Sequence, residues 1–217
     1  MRKTEITKAI KKFIAQRKAN EKKFRKDHQA LATEIATIIR MDDEPNKPSE
    51  MRGHIDGKPH WYQGDWGGVT LDNENRLTMI KGKEYGTVRN TILVECPTTA
   101  CVAGWAATLA GYPLCFKTYD TSIEEFVKYH NEDREEPEVY TASECYDPDT
   151  GYQGSVMRRG RELLNLTEWT ADWLFSSDRN KAEVLKALDI IAETGALTET
   201  DIDNIVVAAK ELEDAEV

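Results

Sequence analysis

Two adjoining stretches, Thr87-Val-Arg-Asn-Thr-Ile-Leu-Val-Glu95 and Cys96-Pro-Thr-Thr-Ala-Cys-Val-Ala-Gly-Trp-Ala-Ala-Thr-Leu-Ala-Gly111, differ sharply in character. The first is short and rich in β-branched residues, as strands are. The second places small residues (Ala103, Gly104, Ala106, Ala107, Ala110) behind an N-cap signal at Thr98-Thr99 and stops at Gly111, as a helix does. A strand followed by a close-packing helix over 100–110 predicts an α+β fold.

Upstream, Val69-Thr-Leu71 and Leu77-Thr-Met-Ile80 flank the turn-rich run Asp72-Asn-Glu-Asn-Arg76, which predicts a β-hairpin. Together with 87–95 it would make a small antiparallel sheet. Before it, Gly53, Gly57, Gly64, Gly67 and Gly68 surround Trp61, Tyr62 and Trp66, a loop region with room for short strands. Residues 41–52, with Pro45 and Pro48, read as a linker. Residues 4–40 lack Gly and Pro and repeat apolar side chains at spacings of four and three (Ile6, Ile10, Phe13, then Phe24, then Leu31, Ile35, Ile38). This predicts a long N-terminal helix, or two in line, with Arg17, Asn20 and Asp27 at seam positions.

Downstream, 117–150 is polar and acidic and is expected to be a solvent-facing loop with one helix around Ser122–His130. The last third predicts a C-terminal helical lobe. Its helices are Ser155–Leu164, one capped by Thr167, one over Lys181–Glu193 ended by Gly195, and a last one opened by Thr198 with Asp201 as a capping box. The expected organisation is a basic helical arm over 1–40, the linker, and an acidic α+β domain over 53–217.

The chain has 217 residues, 29 Lys+Arg against 39 Asp+Glu, and 40% hydrophobic residues, which is too small for two full-sized domains and too apolar for wholesale disorder. Residues 1–40 hold twelve Lys/Arg and four Asp/Glu, a net of +8, which leaves −18 on the remainder. No apolar run follows the basic start, so neither a secretory signal nor a membrane anchor is expected, and the protein is expected in the cytoplasm or in a virion. Cys96, Cys101, Cys115 and Cys145 are then expected as reduced thiols.

Cys96-Pro-Thr-Thr-Ala-Cys101-Val-Ala-Gly-Trp105-Ala, followed by Gly160-Arg-Glu-Leu-Leu-Asn-Leu166 and Ala171-Asp-Trp-Leu-Phe175, resembles a loose group of phage and bacterial proteins of unknown function. Their pattern looks like Cys-Gly-Thr-x-Ala-Cys-x-Ala-Gly-Trp-Ala, a Leu-Gly-Leu joint and an Ala-x-x-Leu-Phe helix. Pro97 and Asn165 stand where that pattern has Gly. The resemblance spans about 61–180 and implies a phage-type accessory protein without implying a chemistry.

One catalytic arrangement is open to the sequence. Cys101 in the first turn of its helix would gain thiolate character from the helix dipole, and with His60 as base (or His54 or His130, oriented by Asp65 or Asp120) it would serve a cysteine hydrolase or transferase. The competing reading is a small plug under a close-packed helix. Zinc ligation by Cys96, Cys101, His54 and His60 lacks the tight paired knuckles of zinc sites, and Asp147-Pro-Asp149-Thr-Gly151 departs from a calcium loop at its Gly and its final Glu. No phosphate-cradling or nucleophile-elbow motif occurs, so no cofactor or metal is expected. The leading expectation is a non-enzymatic interaction protein that binds a protein partner, or a second copy, through Lys11, Lys12, Lys18, Lys22, Lys23, Arg25 and Lys26 and through the acidic loop. Nucleic-acid binding by the arm is the other alternative.

Overall fold

The computed structural model describes residues 20–41, 60–61, 63, 68–70, 77–84, 87–94, 99–119, 121–131 and 139–215. Residues 4–19 of the expected N-terminal helix and residues 42–52 of the expected linker lie outside them. Within them, the helical stretch up to residue 40, expected as one long helix or two in line, is interrupted. Residues 20–24 are helical, the chain turns through Arg25 and Lys26, and a new helix, α1 (His28–Met41), begins. The cause is Asp27, whose Oδ1 accepts from Ala30 N at 2.9 Å while its carbonyl accepts from Leu31 N. Asp27 is thus an N-cap and not a seam residue, because a short carboxylate competes for backbone N–H groups that an uninterrupted helix would need. Leu31, Ala32, Ile35, Ala36, Ile38 and Ile39 are buried, so this part of the expected arm is built into the core.

Two sheets follow. β1 (His60–Trp61), β2 (Gly68–Thr70), β5 (Thr99–Ala100) and β7 (Val139–Thr141) form a small one in the order β1-β5-β2-β7, with β1 parallel to β5. β3 (Leu77–Glu84), β4 (Thr87–Val94), β6 (Leu114–Tyr119), β8 (Glu144–Tyr146) and β9 (Gln153–Ser155) form an antiparallel sheet in that order. The expected hairpin between 69–71 and 77–80 is not formed. β3 instead pairs with β4 over eight positions, from Leu77↔Val94 to Glu84↔Thr87. That register leaves two residues between the strands, the connection length hairpins favour, and yields far more ladder than the three residues of β2 could offer. The stretch 117–150 is likewise less loop than its acidity suggested. It contains the end of β6, the helix α3 (Ile123–Asn131), β7 and β8. Ser122 and Glu125 cap α3 reciprocally, at 3.1 and 2.8 Å.

The helix α2 (Val102–Leu109) lies at the centre, with all eight residues buried and Trp105 fully so. Across it runs α4 (Val156–Leu163), whose Gly160 faces Ala103: a Cβ at Gly160 would lie 2.8 Å from both Cα and Cβ of Ala103. The small residues of both helices are what permit this approach. Then come α5 (Glu168–Phe175), capped by Thr167, α6 (Lys181–Thr194) and α7 (Glu199–Ala215). Asn180 and Glu183 form a capping box that opens α6, Gly195 closes it at φ 82°, and Asp201 with Thr198 opens α7. Between α4 and α5, Asn165 takes φ 54°, the left-handed conformation that Asn tolerates best after Gly. α1 packs along α6, with Gln29 donating to the carbonyls of Ala192 and Glu193, and one hydrophobic core runs from Phe24 to Ile205.

Candidate functional site

The structure brings the backbones of the expected thiol and base close together. His60 pairs with Thr99 and Trp61 with Ala100, so β1 lies beside the segment that leads into α2. Trp61 Nε1 donates to Gln63 at 3.2 Å and Gln63 donates to the carbonyl of Leu174, which ties this strand to α5. Cys101, however, is the N-cap residue rather than a first-turn residue, with φ −72° and ψ 179°. It is 1% exposed and is part of the core beside Ala100 and Val102, each at 0%. A nucleophile must reach its substrate, and this side chain is buried in the core. His130 lies in α3, which packs on β3; His54, Asp65, Cys96 and Asp120 lie outside the described residues.

Two further thiols are buried. Desolvation pushes Cys115 up to about 12, and the carboxylate of Glu144 adds to the shift. Desolvation also pushes Cys145 up to about 11, against the opposing pull of the Arg159 guanidinium that bonds it. A folded-state pKa above the unfolded value near 9 means that the neutral thiol contributes its full stability below pH 9 and loses it as the pH rises from about 9 toward 11–12. Iodoacetamide at mildly alkaline pH is therefore expected to leave Cys101, Cys115 and Cys145 unmodified until denaturant is added, as read by peptide mass spectrometry. Fast labelling of Cys101 in the folded protein would restore the thiol chemistry.

The basic residues divide into two kinds. Lys22, Lys23 and Lys26 are exposed. Arg25 is not available in the same way: its Nε donates to the carbonyl of Ala110 at 2.7 Å, one terminal nitrogen meets Asp149 Oδ2 at 2.6 Å, and its plane lies 4.6 Å from the Tyr112 ring centroid. Arg159 stacks on the same ring at 4.3 Å and pairs with Asp147 and Glu162. Arg25 thus satisfies carbonyls that the end of α2 leaves without intrahelical partners, where the helix dipole also favours a cation. Beside it Gly111 has φ 81°, and a Cβ there would sit 2.7 Å from Glu21 Cδ. The root of the basic segment is therefore pinned to α2, and Arg25 acts in the fold as a cap. Lys11, Lys12 and Lys18 lie outside the described residues. Arg25→Ala is expected to cost about 2 kcal/mol in urea unfolding, and Arg25→Lys to recover little of it, since only the planar fork reaches both acceptors.

The turn at 147–151 serves itself. Asp147 Oδ1 accepts from the backbone N–H groups of Asp149 and Thr150, and Gly151 at φ 72° donates back to the Asp147 carbonyl at 2.8 Å. Burial would raise the Asp147 pKa, but these hydrogen bonds and Arg159 outweigh it and hold the carboxyl below its usual range. Among the described residues, no three His, Cys, Asp or Glu side chains gather as metal ligands.

A groove of about 450 Å³ separates α6 from α7. Ala182, Ile190, Ile205 and Ala208 supply apolar wall, with Lys186 and Asp201 among its polar groups. Sequence reasoning assigned these helices only to a lobe. Val207 on α7, outside this lining, is 55% exposed. Trp169, one of a pair of tryptophans spaced by four, is also 47% exposed, whereas Trp173 carries Arg179 over its ring.

Comparison with protein-family models, with curated proteins and with solved structures returned no match. No helix among the described residues is long and apolar enough to cross a membrane.

Proposed function

We propose that this chain is a non-enzymatic accessory protein that binds a macromolecular partner through its basic N-terminal segment. The observation that carries the reading is the division of labour at residues 22–26: Arg25 ties the segment to the end of α2 while Lys22, Lys23 and Lys26 stay in solvent. A charged surface on a fixed root loses less freedom on binding than a free tail would. Exposed Glu124 and Glu125 on α3 offer a second, acidic surface in place of the expected loop. The net charge of −10 opposes a polyanion and favours a protein partner. The resemblance of 96–106 and 160–175 to phage and bacterial proteins supports a phage-type role in the host cytoplasm or the virion.

The test is co-purification of the full chain and of the triple variant Lys22→Glu/Lys23→Glu/Lys26→Glu from the same extract. The variant is expected to keep the wild-type melting temperature, because surface substitutions change stability little, and to bind its partner at least about tenfold more weakly. Undiminished capture overturns the proposal. Capture that nuclease abolishes and salt weakens steeply would assign the segment to nucleic acid.

A further inference from the structure

We infer that the groove between α6 and α7 is the contact face of a symmetric dimer, covered by the same groove of a second copy of this chain. The inference goes beyond the basic segment and uses none of its residues.

The groove is the open side of a helix pair. Ala182, Lys186 and Ile190 recur every four residues along α6, and Asp201, Ile205 and Ala208 follow i, i+4, i+7 along α7, so each helix lends it one stripe. Ile205 is buried and Ile190 half-buried, while Ala182 and Ala208 are exposed. Small side chains at the rim let another helix come close, and a space of about 450 Å³ can receive its side chains.

The charges of the groove are few and unevenly committed. Glu183 is occupied, since it completes the capping box with Asn180 and pairs with Arg179. Asp201 gives only its Oδ2 to Thr198. Among the described residues, Asp201 Oδ1 and the exposed Lys186 ammonium make no hydrogen bond or ion pair, with each other or elsewhere. One cation and one carboxylate oxygen are thus left for a partner.

Their placement selects the occupant. α6 and α7 pack on each other and are joined by residues 195–198 alone, so they run antiparallel. Asp201 lies beside that joint, and Lys186 lies in the half of α6 remote from it. A strongly basic or strongly acidic partner would set its charge against one of the two. A second copy, turned end for end about a two-fold axis near Ile190 and Ile205, brings each Lys186 to the partner's Asp201 and so meets both with the opposite sign.

Sedimentation equilibrium of the full chain, over about a hundredfold range of concentration, tests this with two variants. One groove per copy is small for an obligate interface, so the wild type is expected to be a reversible dimer. Ala208→Arg puts a long charged side chain into the groove, and Lys186→Glu sets carboxylates against each other at both ends. Each is expected to raise the dissociation constant at least about tenfold. Both positions are exposed, so both variants should keep the circular dichroism of the wild type. Carbodiimide treatment of an equal mixture of unlabelled and heavy-isotope-labelled protein should join Lys186 to Asp201 in mixed-isotope peptides, because the link forms between copies. A wild type that is monomeric at every concentration, or a dimer indifferent to either variant, overturns the inference. So does a link from Lys186 to Glu5 within one chain, which would make the chain's own N-terminal residues the occupant. The triple lysine variant is expected to dimerise as the wild type does, so that loss of partner capture and loss of the dimer report on different surfaces.

Discussion

Gly160→Val is expected to be among the most damaging single substitutions in this protein, costing about 3 kcal/mol or more. The hydrogen of Gly160 occupies the space where α4 crosses α2. A Cβ there would meet Ala103 Cα and Cβ at 2.8 Å and its carbonyl oxygen at 3.3 Å. Two of those three atoms are backbone, so no rotamer change relieves the clash; the helices must part, and α2 is buried along its whole length. Gly160→Ala is expected to cost less, about 1–3 kcal/mol, by the same mechanism. Adding Ala103→Gly to Gly160→Ala should restore part of the loss, because it removes one of the two closest atoms and leaves the other. Urea unfolding of the four-member cycle reads the coupling directly. A Gly160→Ala variant as stable as the wild type would show that the two helices do not approach as described.

Trp105→Ala is expected to cost about 3–5 kcal/mol, a large part of the stability of an ordinary domain. Trp105 is 0% exposed, and Val102, Ala103, Ala106 and Ala107 around it are equally buried, so a cavity at this site has small, already packed neighbours to fill it. Cavities that cannot collapse carry the largest penalties. Trp169→Ala provides the control: at 47% exposure it should shift stability by no more than about 0.5 kcal/mol. A comparable loss from both substitutions in thermal unfolding would contradict the placement of Trp105 at the centre of the core.

Features decided by near neighbours in the chain were legible in the sequence. The small-residue helix at Val102–Leu109 followed by Gly111, the strand at Thr87–Val94, and the caps at Thr167, Gly195 and Thr198 with Asp201 each depend on a few adjacent residues. The hairpin was misassigned because 69–71 and 77–94 satisfy the same alternation, and the choice between partners is made by the length of ladder each pairing completes. The acidic stretch concealed strands because its pairing partners lie far off, as with Leu114 opposite Cys145. The break at Asp27 was hidden by periodicity: a carboxylate at a seam position and one at an N-cap look alike until the backbone shows which N–H it accepts.

The candidate site was less legible for the same reason. Composition groups Arg25 with its lysine neighbours, yet its acceptor on Ala110 is 85 residues away, and only the fold separates the anchoring cation from the exposed ones. The groove between α6 and α7 has no local signature, since it arises from how two helices of ordinary sequence stack.

The central claim, that an anchored basic segment leads binding, is tested most directly by lysine footprinting. Acetylation rates at Lys22, Lys23 and Lys26 would be measured by mass spectrometry in the protein alone and in the complex it forms in extract. The account predicts fast modification of all three in the isolated protein and protection in the complex, with the exposed Lys81 and Lys117 serving as internal references. Unchanged rates at residues 22, 23 and 26 on complex formation would contradict it.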